Sequence, residues 1–290
     1  MTSEWPLTRV RSTGELFDAL RDLQGQRWAF RGQSSCFPTL SPKIERNGRG
    51  AMSRLEKLHL ERRSIDTFRY SAKFFAHHGE EPAMRDDIIA LKVLQHYGTP
   101  TRLLDWTTSP DVAAFFAAES LPNERGEIWA FNEPLYEIEG LKQWERWPET
   151  TSIGANGKRE FAPHLTAFRA DEPPDWFICV FYLEPGFPRQ LAQHALSTMT
   201  ARFSPDHAKY ITRLLPKQRD RHRFEFSPEL KPELLRVLQQ RNGIWRGSLF
   251  TDSAGAAEAA SRGFPQLAVP LARGHVKLKG GPREAMRTRR

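Results

Sequence analysis

The sequence predicts an α+β fold, a single domain in residues 1–263 with a mixed β-sheet core flanked by helices. Segments with apolar residues at helical spacing alternate with short apolar runs typical of strands. The composition, 39% hydrophobic and 27% charged residues over 290 positions, is that of a globular chain and argues against a disordered protein. Residues 264–290 hold seven basic residues and one acidic residue, which predicts a flexible, disordered basic tail.

The first half of the domain is predicted to be mainly helical, with two short extended segments. Serine, aspartate and proline residues at helix starts, and glycines and prolines at helix ends, set the boundaries. The predicted elements are a helix from Ser12 to about Leu23, a strand over 26–32, a loop over 34–50, helical pattern over 51–78, a helix from Asp86 to His96, a short segment over 103–106 and a helix over 111–120.

The second half is predicted to hold the clearest strands, at 126–131 and 175–183. The second of these is apolar for most of its length, which predicts a central position in the sheet. The many prolines, glycines and charged residues in 133–174 predict an irregular excursion, and so long a connection usually covers a site. The remaining predicted elements are a strand over 221–226, a helix over 228–241 ended by Asn242-Gly243, and an alanine-rich helix over 253–261.

Composition also limits the functional classes. The net charge of +8 suggests an anionic partner such as a nucleic acid, although much of it lies in the tail. Cys36 and Cys179 are too few for a disulfide framework and lack zinc-ligand spacing. With no long apolar stretch and no secretory leader, the expectation is a cytoplasmic protein without membrane association or a metal.

Several common enzyme motifs are absent from the sequence. It has no phosphate-binding GxxxxGK loop, no GxGxxG after a strand, no GxSxG elbow and no HExxH pair. These absences argue against a P-loop NTPase, a dinucleotide-binding dehydrogenase, an α/β-hydrolase and a zinc protease.

Two segments carry a family resemblance. They are Trp28-Ala29-Phe30-Arg31-Gly32-Gln33 and the stretch from Leu94 to Pro110, which reads QHYGTPTRLLDWT from Gln95 and continues into Ala113–Ala117. Together they resemble the bacterial FRG domain family, named for its Phe-Arg-Gly signature. Residues 188–193 and 230–250 also resemble that family, so the resemblance extends over about 15–262. The chain departs from the family pattern after Gln193, where His194-Ala195-Leu196 replaces a glycine and an aromatic residue, and at Thr251, where proline is common.

The order of an Arg-Gly strand, a Thr/Ser cluster before a helix, and later strands is similar to ADP-ribosyltransferases of the arginine–serine–glutamate type. That similarity implies an ADP-ribosyltransferase-like fold with NAD as substrate, and a mono-ADP-ribosyltransferase acting as a toxin or antiviral-defence effector. It implies catalytic roles for Arg31, Thr108 and Gln193, with Glu184 as the alternative to Gln193. The residues expected to contact NAD are Arg31, Gln95, His96, Tyr97, Thr101, Arg102, Thr107 and Ser109.

The similarity also implies partners, namely a nucleic-acid or protein acceptor and an antitoxin or defence-system protein. Two other functional classes stay open at this point. One is a non-catalytic module that binds nucleic acid or a nucleotide in the same cleft. The other is a metal-dependent nuclease using His96, Asp105 and Glu184, although no ligand spacing favours it.

Structural roles are the alternatives for the same residues. Asp105 lies among apolar residues, so we expect it to be buried and paired with Arg31 or Arg102. Ser109 is a candidate helix cap, and His96 and Tyr97 are candidate core residues.

Overall fold

The computed structural model describes residues 5–23, 27–73, 78–144, 148–154, 157–162, 164–173 and 188–251. The strands within these ranges are β1 (Leu7–Val10), β2 (Trp28–Gln33), β3 (Leu104–Thr107), β4 (Gly126–Asn132), β5 (Thr151–Ile153), β6 (Arg159–Phe161), β7 (Ala195–Thr198) and β8 (Arg221–Phe226). The α-helices are α1 (Thr13–Arg21), α2 (Arg54–Ala72), α3 (Asp87–His96), α4 (Pro110–Ala118), α5 (Glu133–Trp144), α6 (His164–Ala167), α7 (Pro188–Ala192), α8 (His207–Leu214), α9 (Leu230–Asn242) and α10 (Arg246–Leu249). Short 3-10 helices occupy Lys43–Glu45, Arg49–Ala51, His78–Met84, Pro148–Thr150 and Gln218–Asp220.

Six strands form one mixed sheet in the order β1-β8-β4-β2-β3-β7. The β1–β8 pair is parallel and the other pairs are antiparallel, which confirms the predicted mixed sheet flanked by helices. β5 and β6 form a separate two-stranded hairpin. Strand β2 lies inside the sheet, and it pairs with β4 along its whole length, from Trp28 with Asn132 to Gln33 with Glu127.

Apolar side chains alternate along the strands, so both faces of the sheet are covered. Phe30 and its same-face neighbours pack against α1, α4 and α9 in one buried cluster. Ala29, Trp106 and Phe131 pack on the opposite face with residues of α5 and α8. A third cluster joins α2 and α3 around Ile65. The sheet is therefore a central layer with both faces covered, and a site can form at the ends of its strands.

The helix starts follow the capping chemistry in the sequence. The side chains of Ser12, Asp86 and Ser109 accept backbone N–H groups at the starts of α1, α3 and α4, and Ser53 forms a capping box with Glu56 at α2. Gly243 ends α9 in the left-handed conformation, with φ of 65°. These boundaries confirm the predicted helices.

The segment 133–174 corrects the sequence prediction. It was expected to be irregular, but its described part holds α5, the β5–β6 hairpin and α6. In α5, Tyr136 is buried whereas Leu135 and Ile138 are exposed, so the hydrophobic periodicity is weak. Strands β1 and β7 were also missed, because four-residue strands carry little pattern, and helix α8 was missed as well.

Three predicted features lie outside the described residues: the strand over 175–183, the helix over 253–261 and the tail over 264–290. Within the described residues, no helix has both the length and the apolar character needed to cross a bilayer.

Candidate functional site

A cleft opens where β2 and β3 part. These neighbouring strands share one registered pair, Phe30 with Thr107, whereas β2 and β4 stay paired along their length. Beyond that pair, residues of both strands line a cavity of about 420 Å³. The cleft therefore lies at a discontinuity inside the sheet, where main-chain and side-chain polar groups are both within reach of a ligand.

The Phe-Arg-Gly signature gives β2 three separate functions. Phe30 is buried in the core under α4. Gly32 lies so close to α4 that an added Cβ would be 1.9 Å from the carbonyl oxygen of Ala113, so only glycine fits. Arg31 is between them and, by strand alternation, points to the other face, where it lines the cleft. The signature thus packs the strand and presents the guanidinium.

Arg31 is incompletely satisfied by the protein. Its Nη1 donates to the main-chain oxygen of Asp105 at 2.6 Å, across the gap between β2 and β3. Its Nε is buried and has no hydrogen-bond partner among the described residues. Desolvation and the nearby charge of Arg46 lower the pKa of Arg31 to about 10, against the opposing effect of Asp105. A bound anion would offset both the desolvation of the Arg31 guanidinium and its repulsion by Arg46.

Arg46 lines the same cleft and adds a second guanidinium. Its Nε and Nη2 donate to the carbonyl of Ser41 at 2.9 and 2.6 Å, which fixes the side chain. Desolvation lowers the pKa of Arg46. Arg189, at the end of α7, lines the cleft as well, with its guanidinium 4.2 Å from the ring centre of Phe250. The cleft is therefore rich in arginine, the side chain best suited to phosphate groups.

The structure brings Thr107 to the cleft, whereas Thr108 was expected there. Thr107 lines the cleft, whereas Thr108 does not, and the Thr108 N–H donates to the carbonyl of His194 at 3.0 Å. Thr107 Oγ1 donates to the carbonyl of Gln193 at 2.7 Å and accepts from the Ser109 N–H at 3.0 Å. Ser109 Oγ caps α4. The hydroxyl at the cleft is therefore that of Thr107, and it is already engaged in holding the chain.

Gln193 lines the cleft as predicted. It follows α7, and its Nε2 donates to the carbonyl of Leu249 at 3.2 Å. Thr107 holds its main-chain carbonyl, so both the backbone and the side chain of Gln193 are positioned. Glu184, the alternative third group, lies outside the described residues.

A smaller cavity of about 60 Å³ adjoins the cleft. Asp105, Arg189, Gln193 and Ala195 line both cavities. The residues that line only the smaller cavity are Lys92, Gln95, His96 and Gln190. Two predicted NAD contacts, Gln95 and His96, are therefore next to the cleft rather than inside it.

Asp105 differs from its expected setting. Arg31 bonds to its main-chain oxygen, but its carboxylate is paired with Lys92 rather than with Arg31 or Arg102: Oδ1 accepts from Lys92 Nζ at 2.7 Å and from Ser197 Oγ at 3.0 Å. The side chain is 50% exposed rather than buried. Desolvation is the largest influence and raises its pKa, but the charge and hydrogen bond of Lys92, a hydrogen bond with Gln95 and the charge of Arg31 outweigh it, so the pKa is about 2. Asp105 is therefore an anion at neutral pH.

Four other predicted NAD contacts line neither cavity, namely Tyr97, Thr101, Arg102 and the helix cap Ser109. Tyr97 is 62% exposed, which corrects the expectation of a core residue, and it meets the His96 ring edge-on. Thr101 is buried and donates to Gln95 Oε1. Arg102 is fully buried and pairs with Glu61. The buried positions of Thr101 and Arg102 correct their assignment as ligand contacts, because no ligand can reach them.

Arg46, Arg189 and Lys92 were missed as site residues. Lys92 carried a usable signal, since it is a cation inside the apolar run from Ile88 to Leu94. Arg46 follows a loop with no recognisable pattern, so only the structure brings it to β2. Among the described residues, no group of three or more histidine, cysteine, aspartate or glutamate side chains could hold a metal ion.

Comparison with known families identifies one match. Residues 26–125, from β2 to the start of β4, match the family model of the FRG domain. No curated protein and no solved structure gives a significant match. The family match includes Arg31, Asp105 and Thr107, and it ends before Gln193. Over residues 26–125 the chain is therefore similar to the FRG domain family.

Proposed function

We propose that the chain is an NAD-dependent mono-ADP-ribosyltransferase that binds NAD in the cleft between β2 and β3. The observation that carries the proposal is convergence: Arg31, Thr107 and Gln193 come from three distant parts of the chain and line one cavity. These are the arginine, the hydroxyl cluster and the later amide of the motif order. The pairing of the arginine strand with the hydroxyl strand supports an ADP-ribosyltransferase-like fold.

The charge and size of the cleft support a dinucleotide. Arg31 and Arg46 place two guanidinium groups on it, and the buried Nε of Arg31 has no acceptor among the described residues. A pyrophosphate supplies such acceptors and two negative charges. The volume of about 420 Å³ falls within the range of small-molecule sites, roughly 300–1,000 Å³.

We assign a role to each of these three residues from its hydrogen bonds. Arg31 binds the pyrophosphate. Thr107 is a positioning residue, because its hydroxyl holds the carbonyl of Gln193. Gln193, with its Nε2 bound to Leu249, directs its side-chain oxygen to a ribose hydroxyl. Loss of nicotinamide then passes through an oxocarbenium-like state, which polar groups beside the ribose stabilise.

The broader role we propose is that of a toxin or antiviral-defence effector in the cytoplasm, with a nucleic-acid or protein acceptor and a dedicated partner protein. The basic charge of the chain supports an anionic acceptor.

The test is incubation of the full chain with NAD labelled in its adenylate portion, together with separate RNA, DNA and protein acceptors. We expect nicotinamide release and transfer of label to one acceptor class, both abolished by Arg31→Met. Lys209→Met, a change at an exposed lysine on α8, is the matched control for loss of a cation. Absence of nicotinamide release and of label transfer with every acceptor would overturn the proposal.

A second candidate is a module that binds a nucleotide or nucleic acid without turnover. The observation in its favour is that the hydroxyls of Thr107 and Ser109 are occupied by intramolecular bonds, while three arginines line the cleft. This candidate requires binding that weakens steeply with salt, with a smaller slope after removal of residues 264–290. Nicotinamide release by the wild-type chain contradicts it.

A further inference from the structure

We infer that the carboxylate of Asp105 contacts the nicotinamide ribose of NAD and stabilises the positive charge that develops there. This inference rests on the proposed function. It assigns to Asp105 the anionic role that Gln193, a neutral amide, does not fill.

Asp105 lies at the junction of the two cavities. Arg31 and Arg46 line only the larger cavity, Gln95 and Gln190 line only the smaller one, and Asp105 lines both. NAD presents a pyrophosphate, then a ribose, then a carboxamide-bearing ring. Guanidinium groups suit the first and side-chain amides suit the last. Four residues line both cavities, namely Asp105, Arg189, Gln193 and Ala195, and Asp105 is the carboxylate among them, placed where the ribose belongs.

The smaller cavity supports this alignment. The Nε2 of Gln190 is buried there with no hydrogen-bond partner among the described residues. An unused amide N–H in a buried setting is costly unless an acceptor fills the space. The carbonyl of a carboxamide is such an acceptor.

The cleft has a second carboxylate, that of Glu119, which is already paired with a cation of the protein. Glu119 lines the larger cavity, but it forms an ion pair with Arg246 and is largely buried. Asp105 is held by Lys92 and Ser197 through Oδ1 and by a hydrogen bond with Gln95, and half of its side chain is still exposed. It is therefore fixed in place with surface left for a ligand, and its low pKa keeps it ionised.

In the chemical step Asp105 acts as a fixed negative charge and transfers no proton. The bond between ribose C1′ and the pyridinium nitrogen breaks, and its electron pair stays on nicotinamide, which leaves neutral. The positive charge passes to C1′ and the ring oxygen, beside the carboxylate. A lone pair of the acceptor then bonds to C1′, and the proton of the acceptor passes to water.

The experiment compares Asp105→Asn with the wild-type chain, measuring NAD affinity and nicotinamide release separately. We expect release at saturating NAD to fall about 100- to 1,000-fold, the cost of losing one preorganised electrostatic group. The dissociation constant for NAD should stay within about threefold, because the group acts mainly on the charged state. Asp87→Asn is the control, since it removes another ion-paired carboxylate from α3, the helix that carries Lys92, and should leave release unchanged.

A second variant separates catalysis from folding. Asp105→Asn leaves Lys92 buried without its carboxylate, so a structural defect alone could lower the rate. The double variant Lys92→Met/Asp105→Asn removes both charges. We expect it to fold and bind NAD but still release nicotinamide slowly. Recovery of the wild-type rate in the double variant overturns the role of Asp105, as does a normal rate in Asp105→Asn. A wild-type chain that neither binds NAD nor releases nicotinamide overturns the proposed function itself.

Discussion

Two arginines from the two signature segments, Arg31 and Arg102, have opposite roles in the structure. Every nitrogen of the Arg102 guanidinium has an acceptor: Glu61, the carbonyl of Ala167 at 2.9 Å and the carbonyl of Ala201 at 3.1 Å. Arg31 makes one hydrogen bond, to a main-chain oxygen, and its Nε has no partner among the described residues.

The difference teaches how to separate a structural arginine from a candidate ligand-binding one. Both side chains are near buried strands and both were expected to contact NAD. A guanidinium whose donors are all used inside the protein fixes the interior, whereas one with unused donors at an open cleft is prepared for a ligand. The following predictions test this distinction through stability.

Arg102→Met should have the largest effect on stability. It leaves Glu61 buried and without its cation, so we expect the free energy of unfolding to fall by about 3–5 kcal/mol. Urea denaturation followed by tryptophan fluorescence measures the change. The double variant Glu61→Leu/Arg102→Met should recover part of the loss, and a single variant as stable as the wild type would contradict the structural role.

Lys231→Met should have an intermediate effect. The buried Lys231 Nζ donates to the carbonyls of Ser34, Ser120 and Leu121 at 2.8, 2.9 and 2.7 Å. Loss of these bonds to a charged donor should cost about 1–3 kcal/mol in unfolding free energy. Lys209→Met is the control and should change it by no more than about 0.5 kcal/mol, because that lysine is exposed.

Arg31→Met should have a small effect on stability, in contrast to the loss of NAD binding that the proposed function predicts for it. The variant loses one hydrogen bond, but it also removes a desolvated charge that is repelled by Arg46. We expect the free energy of unfolding to change by no more than about 1.5 kcal/mol. Calorimetric titration with NAD and urea denaturation of the same preparation check both halves of the prediction. A loss as large as that of Arg102→Met would remove the distinction between the two arginines.

The effect that is smallest at neutral pH concerns His207, a buried side chain whose Nδ1 is 3.1 Å from Thr198 Oγ1. Desolvation, and secondarily the charge of Arg31, lower the pKa of His207 from 6.5 to about 3. In the unfolded chain His207 is protonated below about pH 6.5, whereas in the native chain it stays neutral down to about pH 3. The free energy of unfolding therefore falls as the pH drops from about 6.5 to about 3.

In Arg31→Met the pKa of His207 should rise modestly, because desolvation, the larger cause, remains. Unfolding free energies measured at several pH values between 7 and 4 should show a shallower decline in His207→Gln than in the wild type. An identical decline in both would show that His207 does not contribute.

The sequence predicted the parts of the fold that local chemistry controls. Helices α3 and α4 begin at Asp86 and Ser109 because these side chains cap them, and α9 ends at a glycine that adopts a positive φ. Helix α5 was missed because Leu135 and Ile138, two of its apolar residues, are exposed, so its hydrophobic periodicity is weak.

The site was predicted in part for similar reasons. Arg31 was proposed from the family resemblance, and in the structure strand alternation between Phe30 and Gly32 directs it to the cleft. The choice of Thr107 over Thr108 depends on a one-residue register, which the sequence does not specify. Arg102 could not be separated from Arg31, because its partner Glu61 is 41 positions away in the chain.

The single bond from Arg31 to the carbonyl of Asp105 joins the two halves of the sheet where their strands part. A ligand that draws Nη1 toward itself takes this donor from the β3 main chain, whereas a ligand that engages only Nε leaves it in place. We therefore expect a ligand that engages Nη1 to loosen the contact between β2 and β3, and amide exchange along β3 would register which atom of the guanidinium the ligand holds.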